Sequence, residues 1–363
     1  MPANTVYPLS ANDAAPLPVN APAPYDLIRA FDPNIVLPRT HQFNVALEQS
    51  LGSGQTISAS YVGALGKQLL RQESISNPNA TFALLQLTRN SATSDYHALQ
   101  LQFQRRLSKG LQALASYTFG KSLDIASTDA SFLQRADRID PRADRGPSDF
   151  DARHGFNAAV TYNLPVFSRS RFARAVFGGF AVDAIYYARS ALPVNLTIGR
   201  ASSYGFVVLR PNFVGGAPVK IDDPAAPGGW RFNNTQVSPN QIGPFAMTAQ
   251  TVDRNGTLGR NALRGFGFQQ FDFAARRQFK LNERASLQFR AEFFNLFNRV
   301  NFADPGGGLN FTAPTAALPD GRLTATTTFG QSTGMLRSSL GGLNPVYQVG
   351  GPRSVQLSLR LSF

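Results

Sequence analysis

Three histidines, His41, His97 and His154, are the side chains best suited to catalysis or metal binding, because a neutral imidazole can accept a proton or coordinate a metal ion. They are far apart in the sequence, and each falls at the outer end of a predicted strand. Solvated residues at the rim of a sheet are therefore favoured over a metal or catalytic cluster. We predict no catalytic, cofactor-binding or metal-binding residue, and the chain is not predicted to be an enzyme.

Carboxylates are concentrated in predicted long loops, where their oxygen atoms could bind calcium. They are Asp222 and Asp223, and the run Asp137, Asp140, Asp144, Asp149 and Asp151. Neither group has the glycine-punctuated spacing of a calcium-binding loop, so a solvated run of charges is the favoured interpretation. The sequence Asp-Phe-Asp near Arg153 is expected to pin its loop through ion pairs and hydrogen bonds.

Composition limits the class of protein. Of 363 residues, 43% are hydrophobic and only 16% are charged, which is low for a soluble surface. The formal net charge of +13 requires an anionic partner to be considered: nucleic acid, lipid headgroups, lipopolysaccharide or an acidic solute. Cysteine is absent, which excludes disulfides, thiolate metal sites and cysteine nucleophiles.

No membrane-spanning helix is predicted. Residues 1–24 are rich in Pro, Ala and Asn and lack the basic and apolar regions of a secretory leader. The most apolar window, residues 172–194, is interrupted by Asp183 and Arg189 and alternates between apolar and polar residues. This alternation favours a strand.

The last eleven residues, 353–363, alternate strictly between apolar and polar side chains. One face carries Val355, Leu357, Leu359, Leu361 and Phe363, and the other carries Ser354, Gln356, Ser358, Arg360 and Ser362. This length matches the roughly 9–11 tilted residues that cross a bilayer. The segment is typical of the closing strand of a membrane β-barrel.

The same period of two predicts about nine strands between residues 41 and 363. Their apolar faces are Phe43/Val45/Leu47, Ile57/Ala59/Tyr61, Leu99/Leu101/Phe103, Leu111/Ala113/Ala115/Tyr117/Phe119, Phe156/Ala158/Val160/Tyr162/Leu164, Phe180/Val182/Ala184/Tyr186/Ala188, Phe271/Phe273/Ala275/Phe279, Leu287/Phe289/Ala291/Phe293 and the terminal set. The opposite faces are mostly polar, as a water-filled interior requires. We therefore predict an all-β fold, an antiparallel transmembrane β-barrel of which this chain is a partial wall of about 9–10 strands.

Charged side chains on the predicted polar faces are lumen-facing candidates. They are Asp272, Arg276, Arg290, Glu292 and Arg360. An arginine turned toward lipid at mid-membrane would cost about 2–4 kcal/mol, so these groups are expected to point inward. They could attract an anionic solute or contact a plug domain, but ordinary hydration with local pairing, such as Arg290 with Glu292, is favoured.

Connections alternate between short and long, as in outer-membrane barrels. The short ones are 50–54, 107–110 and 280–283, and the long ones are 63–94, 120–153, 190–267 and 296–352, with 165–177 between the two classes. A periplasmic C-terminus places every long connection outside and makes residues 1–40 an extracellular loop or a truncated N-terminal segment. An even strand number then requires either a missed strand, in 22–37 or 192–198, or strands upstream of this chain, and the latter is favoured.

Four segments together resemble the C-terminal barrel of TonB-dependent outer-membrane receptors, and most closely the Oar-like branch. They are F-R-A-E-F-F-N-L-F-N-R-V-N-F (289–302), L-G-R-N-A-L-R-G-F-G-F-Q-Q-F-D (258–272), R-G-P-S-D-F-D-A-R-H-G-F (145–156) and residues 96–124. The resemblance covers roughly residues 40–363. It implies a bacterial outer-membrane location and energised import of a large solute or nutrient.

The resemblance also implies parts that this sequence does not show. Such receptors carry a signal peptide, a plug domain with a TonB-contacting segment, and a barrel of about 22 strands. Engagement of the TonB system is therefore expected only if upstream sequence supplies a plug. The implied partners are outer-membrane lipid, lipopolysaccharide and the barrel assembly machinery, which would recognise the terminal strand ending in Phe363. The solute is not predicted.

A soluble basic all-β protein that binds nucleic acid through arginines and aromatic rings is the alternative. In such a protein, arginines and exposed rings share one sheet face. In this sequence, they alternate onto opposite faces, so no nucleic acid is expected as a partner.

Overall fold

A computed structural model describes residues 25–76, 78–127, 141–165, 170, 172, 176–202, 205–247, 255–312, 321–336 and 350–363. Within these ranges, no helix is long and apolar enough to cross a membrane. The regular secondary structure of the described residues is almost entirely β-strand, with a short 3-10 helix at Pro141–Asp144.

The described residues contain twenty-three strands, numbered here in chain order. The first eleven are β1 (Tyr25–Phe31), β2 (Arg39–Ser50), β3 (Gln55–Ser76), β4 (Phe82–Ser108), β5 (Leu111–Asp124), β6 (Gly146–Pro147), β7 (His154–Asn163), β8 (Phe180–Arg189), β9 (Pro193–Val194), β10 (Thr197–Ser202) and β11 (Gly205–Leu209). The others are β12 (Asn212–Phe213), β13 (Lys220–Asp222), β14 (Trp230–Phe232), β15 (Gln236–Ser238), β16 (Gln241–Ile242), β17 (Phe245–Ala246), β18 (Leu263–Arg264), β19 (Phe268–Lys280), β20 (Ser286–Phe294), β21 (Gly308–Thr312), β22 (Arg322–Ala325) and β23 (Ser354–Ser362).

Nine long strands form one continuous sheet, here called the wall, in the order β2-β3-β4-β5-β7-β8-β19-β20-β23. Every neighbouring pair along this path is antiparallel. The predicted strands and the all-β antiparallel class are therefore confirmed. In the described structure, β2 and β23 are the two ends of this path and do not pair with each other, so the barrel is open.

Apolar side chains of the wall are exposed on the predicted face. Leu359 is 68% exposed and Leu47 is 75% exposed, although both lie within regular strands. Leu359 stands opposite Phe289, whereas the next residue, Arg360, stands opposite Gln288. Water-soluble monomers rarely expose so large an apolar surface, and hydrocarbon is the solvent that suits it. This exposure favours a membrane protein over a soluble nucleic-acid binder.

Aromatic rings cluster near both ends of the wall strands, as membrane–water interfaces favour, and these two bands of rings are here called the outer and the inner girdle. The end of the wall from which the long connections leave is here called the outer end. Near it, the ring of Phe156 lies 6.1 Å from that of Tyr186. Toward the tight turns, the Arg277 guanidinium lies 4.7 Å from the Phe180 ring and 4.4 Å from the Phe279 ring. Stacking on these rings explains how a cation is accommodated on the apolar face.

The connection expected at 63–94 is mostly not a loop. Strands β3 and β4 continue well past the girdle and pair as far as Ser76 with Leu84. The register shifts between Gly66 and Leu69, where Gln68 has a left-handed φ of 54°. A bulge of this kind bends the strands and lets the hairpin extend beyond the rest of the wall.

Neither place suggested for a missed strand adds one to the wall. Strand β1 lies within 22–37, but it pairs in parallel with the outer part of β4 and is not one of the consecutive strands from β2 to β23. Strands β9 and β10 lie near 192–198, and both belong to small sheets outside the wall. The assignment of residues 1–40 as a separate segment stays a prediction.

The two longest connections, 190–267 and 296–352, fold together into what we call the outer unit. Strand β10 of the first connection pairs in parallel with β21 of the second, within the sheet β11-β10-β21-β22. Its hydrophobic core contains Ile198, Phe232, Ile242, Phe245, Leu323 and Phe329, none of them measurably exposed. Burial on this scale gives the connections a packed interior of their own.

One glycine of the wall permits close ring packing. Gly63 pairs with Phe43 on the neighbouring strand, and the Phe43 ring lies over it. A Cβ atom at Gly63 would lie 2.1 Å from that ring. The missing side chain therefore lets the Phe43 ring cover the backbone of β3 on the apolar face, as in aromatic rescue of a strand glycine.

Arginine at Leu357 should destabilise the folded protein in a lipid bilayer by about 2–4 kcal/mol, because its guanidinium would face hydrocarbon. Gln356→Arg is the matched control, since Gln356 lies on the polar face opposite Glu292. Urea unfolding in lipid vesicles measures both variants. Equal losses would show that the two faces are wrongly assigned.

Candidate functional site

A network of charges on the polar face joins three neighbouring strands of the wall. The Asp183 carboxylate of β8 accepts a hydrogen bond from Arg290 Nη1 at 2.7 Å and lies 3.4 Å from Arg276 Nε. Its other oxygen accepts from Thr161 Oγ1 at 2.7 Å. Arg290 Nε also donates to Glu292 at 2.9 Å. The predicted pairing of Arg290 with Glu292 is thus present, within a larger network.

Strand register explains why this network is needed. Arg276 of β19 and Arg290 of β20 are directly opposite each other, and two like charges in that position repel. Asp183 lies on the adjacent strand β8 and contacts both guanidinium groups. Its negative charge offsets the repulsion, and the alternation of β8 directs it onto the polar face. In the sequence, Asp183 stands out only as an interruption of an apolar window. The available signal was the alternation along β8, because Asp183 lies between Val182 and Ala184 of the apolar face and therefore points to the opposite face.

Asp272 has a structural role near the outer end of the wall. Its carboxylate accepts hydrogen bonds from Gln270 Nε2 and from the backbone N–H of Asn295, both at 2.8 Å. Asn295 is buried, and its amide donates to the carbonyls of Arg299 and Gly351 at 2.8 Å. Asp272 therefore holds the turn that follows β20.

The space beside these groups is small. A cavity of about 170 Å³ lies among Asp183, Asp272, Arg290, Glu292 and Tyr187. This volume suits a few water molecules and is below that of a typical ligand pocket. Arg360 is exposed on β23 and is not a lining residue of this cavity. The structure thus brings together Asp183, Arg276, Arg290 and Glu292 and leaves Arg360 apart.

A second group of ion pairs attaches the outer unit to the wall. Arg260, only 4% exposed, pairs with Asp124 at the end of β5 and with Asp149 at 3.3 Å. Burial, together with the nearby positive charge of Arg71, lowers the pKa of Arg260 to about 10. The guanidinium therefore stays charged at neutral pH.

The described members of the predicted loop run, Asp144, Asp149 and Asp151, pair with arginines. Asp151 lies 2.5 Å from Arg264 Nη2 and 3.1 Å from Arg153 Nε, which confirms that ion pairs pin the Asp-Phe-Asp segment.

Asp144 pairs with Arg71 and with Arg210, at 2.7 Å from the latter. Asp223 lies 3.6 Å from Arg231. Asp137 and Asp140 lie outside the described residues. Over the described ranges, no three His, Cys, Asp or Glu side chains form a group suited to a metal ion.

The histidines are separate from one another. His97 shares a 2.8 Å hydrogen bond with the Tyr61 hydroxyl, and His154 shares one of 2.7 Å with the Tyr117 hydroxyl. Both pairs lie on the apolar face at its outer end, within the aromatic girdle. His41 is exposed on β2. His97 lies within β4, which continues outward to Phe82, and so it is not at a strand end. That the three histidines are solvated rim residues stays a prediction.

Asp183→Asn should lower the free energy of unfolding by about 1–3 kcal/mol, because two partly buried guanidinium groups lose their shared carboxylate. Glu48→Gln is the control, since Glu48 is an exposed carboxylate on β2 of the same wall. Urea unfolding in vesicles measures both. A smaller loss on an Arg290→Met background would assign the effect to this network, and an unchanged stability would contradict it.

Comparison with known proteins gives the family. The sequence matches the family model described as outer membrane beta barrel domain over residues 2–356. No curated protein matches it.

Three solved structures are similar to the chain at low identity. They are the outer membrane transporter YddB from Escherichia coli, with 8% identity and a TM-score of 0.48 over 91% of this chain and 33% of that one; the pyoverdine outer membrane receptor FpvA from Pseudomonas aeruginosa, with 10% identity and 0.42 over 90% and 30%; and the FrpB iron transporter from Neisseria meningitidis, with 12% identity and 0.41 over 92% and 32%. The chain spans about a third of the length of each. These similarities are too distant to transfer what those proteins bind.

The family match covers nearly the whole chain, and the described residues form the antiparallel wall with one apolar and one polar face that such a domain requires. The chain therefore belongs to the outer membrane beta barrel domain family and is a protein of the bacterial outer membrane.

Proposed function

We propose that the chain forms part of the wall of a TonB-dependent receptor of the Oar-like branch, which imports a large solute and is not an enzyme. The observation that carries this proposal is the continuous polar face, on which charged groups of three neighbouring strands form ion pairs. A wall with lipid on one side and paired charges on the other suits a barrel that encloses water.

The outer unit is the part we propose to meet the solute. It is folded around its own core and is attached to the wall by Arg260 and Arg264. A rigid surface loses less conformational entropy on binding than a mobile loop does. Recognition at the outer end and passage along the polar face would then be separate steps.

Strand direction supports the proposal that further strands complete the barrel. Eight antiparallel pairings separate β2 from β23, so the two end strands run in the same direction. Direct pairing between them would be parallel, whereas bacterial outer-membrane barrels are antiparallel throughout. We propose that an odd number of strands from elsewhere in a longer protein, or from another chain, lies between them. A plug from the same source would be needed to engage the TonB system.

The import proposal is tested in the source bacterium by deleting the gene and following the depletion of large solutes from a complex medium by mass spectrometry. We expect uptake of one solute class to fall at least about tenfold, and to fall equally when tonB is deleted, because import needs an energised receptor. Uptake of every solute at the wild-type rate in the deletion strain would contradict import.

Complementing variants of the same strain separate assembly from transport. Gln356→Arg should restore uptake, whereas Leu357→Arg should not, because only the latter faces lipid. Removal of Phe363 should lower the amount of barrel in the membrane if the assembly machinery recognises the terminal strand. Full insertion without Phe363 would contradict that role for Val355, Leu357, Leu359, Leu361 and Phe363.

Closure is tested by a photo-reactive amino acid at Val45 on the end strand β2, with Ala158 on the interior strand β7 as control. We expect irradiation of intact cells to join Val45 to peptides outside these 363 residues, identified by mass spectrometry. Ala158 should give only adducts with β5 and β8, its neighbours in the wall. Adducts between Val45 and β23 would show direct closure and contradict the proposal.

A further inference from the structure

A groove of about 400 Å³ lies where the outer unit meets the outer ends of β8 and β19. Its lining includes Trp230, Phe266, Phe302, Arg189, Arg299 and Gln269. Gln269 pairs with Ala188, at positions that share the apolar face with Tyr186 and Phe271. The groove therefore adjoins the lipid side of the wall, just beyond the outer aromatic girdle.

Aromatic rings from three segments form one side of the groove. The Trp230 and Phe266 rings are 4.4 Å apart, and the Phe266 and Phe302 rings are 5.2 Å apart. Gly228 has a φ of +86°, and a Cβ atom there would lie 2.4 Å from the Phe266 ring. Lys220 places its ammonium 3.8 Å from the centre of the Trp230 ring, which adds a positive charge beside the apolar surface.

The positively charged side chain of Arg299 lies at the level of the outer girdle. The Gln269 amide is 2.8 Å from the Tyr186 hydroxyl, and with its oxygen turned toward Arg299 it accepts hydrogen bonds from that guanidinium. Within the described part of the chain, Arg299 forms no ion pair with a carboxylate. Arg299 is exposed, and its guanidinium carries five N–H donors, so donors remain for a phosphate beside the contact with Gln269.

Two exposed apolar side chains flank that cation along the chain. Phe297 is 74% exposed and Val300 is 50% exposed. The Phe297 ring packs 5.4 Å from that of Phe271, on the lipid face of β19. Apolar residues on both sides of an arginine at the membrane boundary suit a ligand with acyl chains below and a phosphate above.

We propose that this groove binds the phosphorylated sugar headgroup of an outer-leaflet glycolipid of the lipopolysaccharide type. Arg299 holds a phosphate, Lys220 adds positive charge, the rings of Trp230 and Phe266 line the sugar, and Phe297 contacts the acyl chains. A free sugar phosphate would gain nothing from Phe297 and Val300, so their exposure favours the lipid. The site rests on the outer-membrane location and not on solute import, so it can fail while import holds.

Trp230 is the only tryptophan in the sequence, so its fluorescence, excited at a wavelength that tyrosine absorbs little, reports on the groove. The full protein, purified from outer membranes into a neutral detergent, is titrated with lipopolysaccharide. We expect a saturable shift of the emission. Arg299→Gln should raise the midpoint at least about tenfold, because a charge-assisted hydrogen bond to phosphate is lost.

Arg284→Gln is the matched control, since Arg284 lies at the β19–β20 turn, at the opposite end of the wall. It should leave the midpoint unchanged. Arg299→Lys keeps the charge and should give an intermediate midpoint. Heat-modifiable gel migration checks that each variant is folded.

Two further titrations identify the ligand. Dephosphorylated lipopolysaccharide should bind as weakly as the native lipid binds Arg299→Gln, and glucosamine 1-phosphate should give no saturable shift at the same concentrations. A lipid titration without saturation, or an Arg299→Gln midpoint equal to the wild-type one, would overturn the proposal. Equal binding of the free sugar phosphate would overturn the lipid as its ligand.

Discussion

Backbone hydrogen bonding within hydrocarbon is the constraint on which the rest of this structure depends. A peptide group in lipid has no water to bond with, so every strand of the wall must pair on both sides. The nine wall strands satisfy this requirement except at the outward edges of β2 and β23. Pairing of this kind fixes the direction of each side chain, and successive residues then face opposite solvents. The apolar face, the polar face and the open edges all follow from it.

Charges on the polar face are tolerated because they are matched across strands. Arg276 and Arg290 would repel each other, and Asp183 from a third strand offsets both. The same chemistry continues at the outer end, where Arg260 pairs with Asp124 at the end of β5 and Arg264 pairs with Asp151 just before β7. Ion pairs thus connect parts of the chain that are far apart in sequence, and they hold the outer unit in place over the wall.

The sequence predicted what depends on local periodicity. Alternation along residues 353–363 and along the other wall strands gave their positions and faces, because a half-buried strand repeats every two residues. It did not give the outer unit, whose strands are as short as two residues and whose β10–β21 pairing joins segments distant in the chain.

Only some residues of the polar-face site could be predicted from the sequence. Arg276, Arg290 and Glu292 were identified from their alternation on β19 and β20, but their shared partner Asp183 was not. Strands β8 and β19 pair although the whole connection 190–267 separates them in the sequence, and no local pattern predicts this pairing. The long β3–β4 hairpin was not predicted because strict alternation breaks in its outer part, where Leu69-Leu70 and Leu84-Leu85 place apolar side chains on both faces.

The central claim is that one face of the wall contacts lipid and the other contacts water. Labelling of single cysteines along β7 tests it most directly, and the absence of native cysteine makes each label specific. Nitroxide labels at Asn157, Ala158, Ala159, Val160 and Thr161, one at a time, would be examined in membranes with oxygen, which partitions into lipid, and with a water-soluble nickel complex. The account predicts that oxygen reaches positions 158 and 160, and that nickel reaches 157, 159 and 161. Equal access of nickel to all five positions would contradict it.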